Sequence, residues 1–163
     1  VETTKIMLDN MELPDQSFKI VHDLIEHQSP ELRGKLKKDV NAKRGALNKK
    51  TMGMDYIPPG GESLKQVERR MGIWIENEIL TNPEYLNKNH PIKIAAIAHG
   101  QSLQALFHYI MGFDEKLIER FSLYNCSISR FLFNKNGWTI ISINDSIHTN
   151  GNRPNPSVNR LIF

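Results

Sequence analysis

One cysteine, Cys126, stands in 163 residues. A lone thiol excludes an internal disulfide framework and a cysteine-built zinc site, and such sparing use fits a reducing compartment, with the cytoplasm as the expected location. No apolar run reaches the length of a membrane span, and the N-terminus lacks the basic-then-apolar order of a signal peptide, so a soluble protein without a membrane partner is expected. His22, His27, His90 and His108 share no metal-ligand spacing, so neither metal nor cofactor is expected. The chain opens on Val1 rather than methionine, which implies that something before it was removed, processed or left out.

What is present is ordinary for one globular domain, with 39% hydrophobic and 24% charged residues. The net charge of +3 arises from 21 basic and 18 acidic side chains, unevenly spread. Between Arg33 and Lys50 eight cations face one anion, Asp39. Such a run is either a solvated face or an anion-binding surface. It contains no aromatic on which a base could stack, which argues against nucleic acid and for a small phosphorylated ligand.

Hydrophobic spacing places a helix from near Thr3, stopped at Pro14-Asp15, and a short strand over Phe18 to Leu24. Residues Gly53 to Gly61, ending Ile57-Pro58-Pro59-Gly60-Gly61, read as a loop because proline and glycine interrupt helical bonding. Ser63 with Gln66 forms a capping box. Leu64, Val67, Met71, Trp74, Ile75 and Ile79 then share one face of a helix ending near Leu80. Ile92-Lys93-Ile94-Ala95-Ala96-Ile97-Ala98 has the character of a strand buried on both faces. After His99-Gly100, Leu103, Leu106, Phe107 and Ile110 mark another helix. Strands around Ile128 to Phe133 and Trp138 to Ile143 flank Asn134-Lys135-Asn136-Gly137, a hairpin turn. Cys126 is expected as a buried small residue.

His99 is the leading functional candidate. It sits at the carboxyl end of a strand, before a glycine and a helix start, where open α/β sheets place ligands. Free first-turn amides there can hold a phosphate while an imidazole donates to its oxygens. By position alone, His99 could equally hydrogen-bond within the strand end.

Ala95-Ala96-Ile97-Ala98-His99-Gly100-Gln101-Ser102-Leu103-Gln104-Ala105-Leu106 resembles the second-histidine motif of the histidine phosphatases, the phosphoglycerate-mutase-like superfamily. Pro58-Pro59-Gly60-Gly61-Glu62-Ser63-Leu64-Lys65-Gln66-Val67 with Arg70, Asn125-Cys126-Ser127-Ile128, and Asn144-Asp145-Ser146-Ile147-His148 follow the family order. The resemblance spans about Val1 to His148. It implies a three-layer α/β sandwich with a mostly parallel central sheet, Ile92 to Ile97 being a central strand. Residues 1–163 would form the C-terminal larger part of one domain.

The resemblance also implies chemistry. A histidine in an Arg-His-Gly motif attacks phosphorus, a second histidine and arginines stabilise the transferred group, and an acid protonates the leaving oxygen. His99 matches the second histidine and Glu26 the acid, although His27-Gln28-Ser29-Pro30 replaces the aromatic-glycine pair that follows the acid in many relatives. Gly100, Gln101, Arg70 and His148 are the implied substrate contacts, with surface ion pairing of Arg70 and a structural role for His148 as the alternatives.

No Arg-His-Gly occurs in the chain. Its only His-Gly pair is His99-Gly100, preceded by Ala98. Val1-Glu2-Thr3-Thr4 resembles the end of a family segment in which an arginine precedes a Gln/Glu-Thr pair. The expectation is therefore a missing N-terminal β-α unit, supplied by an upstream segment or offset by pairing with a second copy, and a chain inactive alone.

The resemblance favours a phosphatase for a sugar phosphate or bisphosphate, with Pro58 to Val67 most like the fructose-bisphosphatase-related TIGAR branch. A phosphoglycerate mutase, a non-catalytic phospho-ligand-binding or scaffold protein, and a basic segment that binds nucleic acid or an acidic protein are the alternatives.

Overall fold

A computed structural model of the chain describes residues 1–30, 34, 53–113 and 123–149. The basic segment from Arg33 to Lys50, Gly34 excepted, and the tail after Thr149 lie outside the described residues. Helix α1 spans Glu2–Asn10 and buries Thr4 and Leu8. Glu12, at φ 57, turns the chain away just before Pro14.

The capping box forms as the sequence predicts. The Ser63 hydroxyl accepts from the Gln66 amide at 3.1 Å, and the Gln66 side chain accepts from the Ser63 amide at 2.7 Å. Two first-turn donors are thereby satisfied, and the helix starts at a defined residue. Helix α2 spans Leu64–Trp74 and runs on as a π-helical stretch, Ile75–Leu80. Asn82 then caps the short α3, Pro83–Leu86.

Helix α4, Gly100–Met111, follows directly on His99 and ends at Gly112 in the left-handed conformation. Val67, Met71 and Trp74 from α2 and Ile75 from its π-helical continuation form the core with Ala105, Leu106 and Phe107 from α4, joined by Met54. The two helices approach closely at Gly72, where a Cβ would come 2.7 Å from the Tyr109 ring. Strands β1, Ile128–Asn134, and β2, Gly137–Asp145, make an antiparallel hairpin with Asn134 opposite Gly137. Gly137 has φ 95, and the Asn134 side chain accepts from the Asn136 amide at 2.8 Å, so turn chemistry sets the register. Phe131 joins the hairpin to α4 through Phe107, with ring centroids 4.9 Å apart.

Three local expectations are corrected. The stretch Phe18 to Leu24 is not a strand: it ends in a 3-10 turn, His22–Leu24, and Ile20 is 71% exposed. Carbonyls after this turn are satisfied by side chains, Ile25 receiving Ser102 Oγ at 2.8 Å and Arg70 Nη2 at 3.0 Å. Residues 92 to 98 carry no ladder, and Ile94 is 44% exposed rather than buried. Among the described residues the sheet has two strands, both spent on each other. A central parallel strand requires neighbours on both edges, and apolar composition cannot supply them. Cys126 is exposed, at φ 58, because it occupies the turn ahead of β1.

Candidate active site

Three separate stretches meet at the start of α4: the loop carrying Glu26 and His27, the Gly60-Gly61-Glu62 turn with the first turns of α2, and His99 to Ser102. His99 is the N-cap of α4. Its imidazole is exposed and makes no hydrogen bond among the described residues. The bonding within the strand end that was the alternative for His99 is therefore not seen. The His99 carbonyl accepts the Leu103 amide at 2.9 Å, which leaves the amides of Gly100, Gln101 and Ser102 outside the intrahelical ladder.

Glu26 takes one of these amides. Its Oε1 accepts from Ser102 N and Ser102 Oγ, both at 3.2 Å, and from the His27 amide at 2.8 Å. These bonds anchor the Glu26 carboxyl group on the first turn of α4 and satisfy one of its orphan donors. Oε2 makes no hydrogen bond among the described residues. In front of Gly100 there is open space, since a Cβ built there meets nothing within 4 Å.

Arg70 is used differently from the implied substrate contact. Its Nε and Nη2 grip the Glu62 carboxylate at 3.0 and 2.8 Å, a bidentate pair. Nη1 donates to the Asp23 carbonyl, and Nη2 also reaches the carbonyl of Glu26 at 3.5 Å. The guanidinium is a brace that holds the Glu26 loop against α2. Burial pushes the Glu62 carboxyl up, but the Arg70 hydrogen bonds and charge, the Gln28 amide and His27 outweigh it and hold the group below its usual range. Gly61 permits this approach. A Cβ there would lie 2.1 Å from the Gln28 carbonyl oxygen, which accepts the Glu62 amide at 3.1 Å.

His27 bridges two of the stretches, with Nε2 at 2.7 Å from the Glu62 carbonyl and Nδ1 at 3.1 Å from Gln101 Oε1. Gln101 thus joins the site through His27. His148 is exposed in a 3-10 turn, Ile147–Thr149, and no hydrogen bond joins it to Glu26, Gln101 or Arg70. Within the late Asn-Asp motif, Asn144 adopts φ 57 and accepts the Tyr124 amide at 2.7 Å, while Asp145 pairs with Arg130 at 3.0 Å. The Arg130 hydrogen bond leads in holding the Asp145 carboxyl below its ordinary range, with the Ile147 amide second.

Sequence reading missed Ser102, Glu62 and His27 as parts of this assembly. The first two had signals: Ser102 falls where a helix presents a free amide, and Glu62 stands beside a capping residue within reach of an arginine two turns on. His27 had only its place next to Glu26. Among the described residues, no group of three His, Cys, Asp or Glu side chains could hold a metal ion. No helix there is long and apolar enough to cross a membrane.

Residues 1–146 match the model of the histidine phosphatase superfamily (branch 1), and the chain belongs to that family. It is 35% identical over 106 residues to a 2,3-bisphosphoglycerate-dependent phosphoglycerate mutase of Rhizobium etli (strain CIAT 652), a match covering 64% of this chain and 48% of the mutase. The chain thus spans about half the length of that curated relative. Its fold is similar to that of a mycobacterial glucosyl-3-phosphoglycerate phosphatase solved with inorganic phosphate, at TM-score 0.71 and 18% identity, over 88% of this chain and 72% of the other. The structure of that phosphatase with VO3 gives TM-score 0.69 at 19% identity, over 83% and 68% of the two chains. The mixed α/β fold is that of the histidine phosphatases.

Proposed function

We propose that this chain forms the leaving-group and phosphoryl-binding side of a phosphatase acting on a small phosphorylated metabolite, a sugar phosphate or bisphosphate. The observation that carries the reading is Glu26, fixed by Oε1 on the first turn of α4 while the unbonded His99 imidazole and the open Gly100 stand on the same turn. Amides of Gly100 and Gln101 and the His99 ring supply donors for phosphoryl oxygens. The attacking nitrogen is a histidine from outside residues 1–163, because no Arg-His-Gly lies within them. That nitrogen bonds to phosphorus as the bond to the leaving oxygen breaks, and Glu26 gives the oxygen its proton. Water then attacks phosphorus, Glu26 takes a proton from it, and inorganic phosphate leaves with the histidine restored.

A mutase is the second reading, favoured by the identity with the Rhizobium etli enzyme. The two differ in product. Incubated with phosphorylated sugars and with 3-phosphoglycerate, the full-length protein is expected to release inorganic phosphate from the sugars. Conversion of 3-phosphoglycerate to its 2-phospho isomer without phosphate release would establish the mutase instead. The likeness of Pro58 to Val67 to the fructose-bisphosphatase-related branch supports only the choice of a sugar bisphosphate as the first substrate to try.

A further inference from the structure

We propose that His27 decides which end of the Gln101 side-chain amide faces a bound phosphoryl group, making it a positioning residue for the site; the proposal rests on reading the α4 N-terminus as the phosphoryl site. The Glu62 carbonyl, 2.7 Å from Nε2, can only accept, so Nε2 carries a proton in every state that keeps this bond. The protonation of Nδ1 is what can change, and its partner is the Gln101 amide.

Two arrangements satisfy the pair. With both ring nitrogens protonated, Nδ1–H donates to Gln101 Oε1, which lies 3.1 Å away, and the amide's NH2 end points away from His27. With Nδ1 unprotonated, two lone pairs would oppose each other, so the amide turns half a revolution, its NH2 donates to Nδ1, and its oxygen points away. The far end of the amide has no hydrogen-bond partner among the described residues, so no hydrogen bond to them is lost there on rotation. Gln101 lies between Gly100 and Ser102 on the first turn of α4. From that place an outward NH2 donates to a phosphoryl oxygen, whereas an outward carbonyl repels it. The charge on His27 is thereby relayed to the ligand without contact between them.

Among the described residues, three elements bring polar groups to His27. On its own loop, Glu26 Oε1 accepts the His27 amide. From the turn before α2 comes Glu62, its carboxylate held by Arg70 of α2 and by the Gln28 amide at 3.2 Å. Helix α4 contributes the uncharged Gln101 and Ser102, with His99 at its N-cap.

Sulfate is a suitable probe because it stays a dianion throughout the range in which imidazoles titrate, about pH 5 to 8. Its binding to the full-length protein is read by NMR at the amides of residues 99 to 102. Affinity is expected to fall as pH rises. Any part of the fall that persists in every variant belongs to other groups; the share owed to His27, about tenfold, is the scale of one hydrogen bond to a charged group. That share should disappear in His27→Arg, which donates at every pH, and in Gln101→Met, which has no amide to turn. In the wild type, the Gln101 side-chain NH2 resonances should move with the same midpoint as the His27 ring nitrogens. Should His27→Arg fail to fold, the wild-type and Gln101→Met titrations decide alone. Sulfate binding whose full pH dependence survives in the variants, or Gln101 resonances that ignore His27, would overturn the proposal by itself. Sulfate that perturbs none of these amides at any pH would remove the phosphoryl-site reading, and this proposal with it.

Discussion

Arg70 shows how much one side chain can organise. Its planar fork satisfies a carboxylate and several loop carbonyls at once, which a lysine ammonium cannot reproduce. With side chains 16% and 19% exposed, the Arg70–Glu62 pair lies near the boundary where removing one partner leaves the other short of solvent. The folded Glu62 carboxyl titrates below its ordinary value of 4.5. A depressed carboxyl contributes stability that is fully present above the unfolded value and is lost as pH falls through the folded one. Thermal melts of the wild type should therefore shift down on acidification below that ordinary value. Arg70→Met should have a lower melting temperature at neutral pH and a shallower acid limb. Equal slopes for the two proteins would show that the pair contributes nothing to acid sensitivity. Asp145, lowered mainly by its hydrogen bond to Arg130, adds to the limb in both.

At the level of elements, two glycines of the site separate structural from functional demand. Gly61→Ala places a Cβ against backbone oxygen and the Pro58 ring, neither of which is a flexible tip, so the loop must shift. A loss of about 1–3 kcal/mol, the usual cost of overpacking, is expected in urea denaturation. Gly100→Ala meets open space and improves helix propensity, so its urea midpoint should hold or rise. An anion seated in the open space before Gly100 would have to share it with the added methyl, so sulfate binding there should weaken. A Gly100→Ala protein that binds sulfate as the wild type does would place the anion elsewhere. The legibility of elements divides along a similar line. The capping box, the apolar stripe from Leu64 to Ile79 and the hairpin turn depend on residues a few positions apart, and their sequence signatures are complete. Alternation in Phe18 to Leu24 and the apolar run from Ile92 to Ala98 are strand signatures only where a partner strand exists. Among the described residues none lies beside them.

Across the whole molecule, the site joins stretches separated by more than seventy positions, as in the bond from Ser102 to Glu26. Motif resemblance pointed to His99 and Glu26 as its proposed chemical ends, whereas the braces between them, His27, Ser102 and the Glu62–Arg70 pair, exist only through packing of α2 on α4. That division makes the roles of the two ends separable by choice of leaving group. If Glu26 protonates the departing alkoxide, Glu26→Gln in the full-length protein should slow hydrolysis of alkyl phosphates by roughly 10²–10⁴-fold, the usual scale of general-acid catalysis. Nitrophenolate leaves without a proton, so p-nitrophenyl phosphate should suffer much less. His99→Ala should depress both substrates alike, because charge develops on the same phosphoryl oxygens whichever group departs. Glutamine keeps an oxygen for Ser102 and nearly the volume of glutamate, so the loop stays in place and the comparison reports on the proton. A Glu26→Gln enzyme equally slow on both substrates would mean that Glu26 orients α4 and moves no proton, and wild-type rates on a sugar phosphate would remove it from the mechanism.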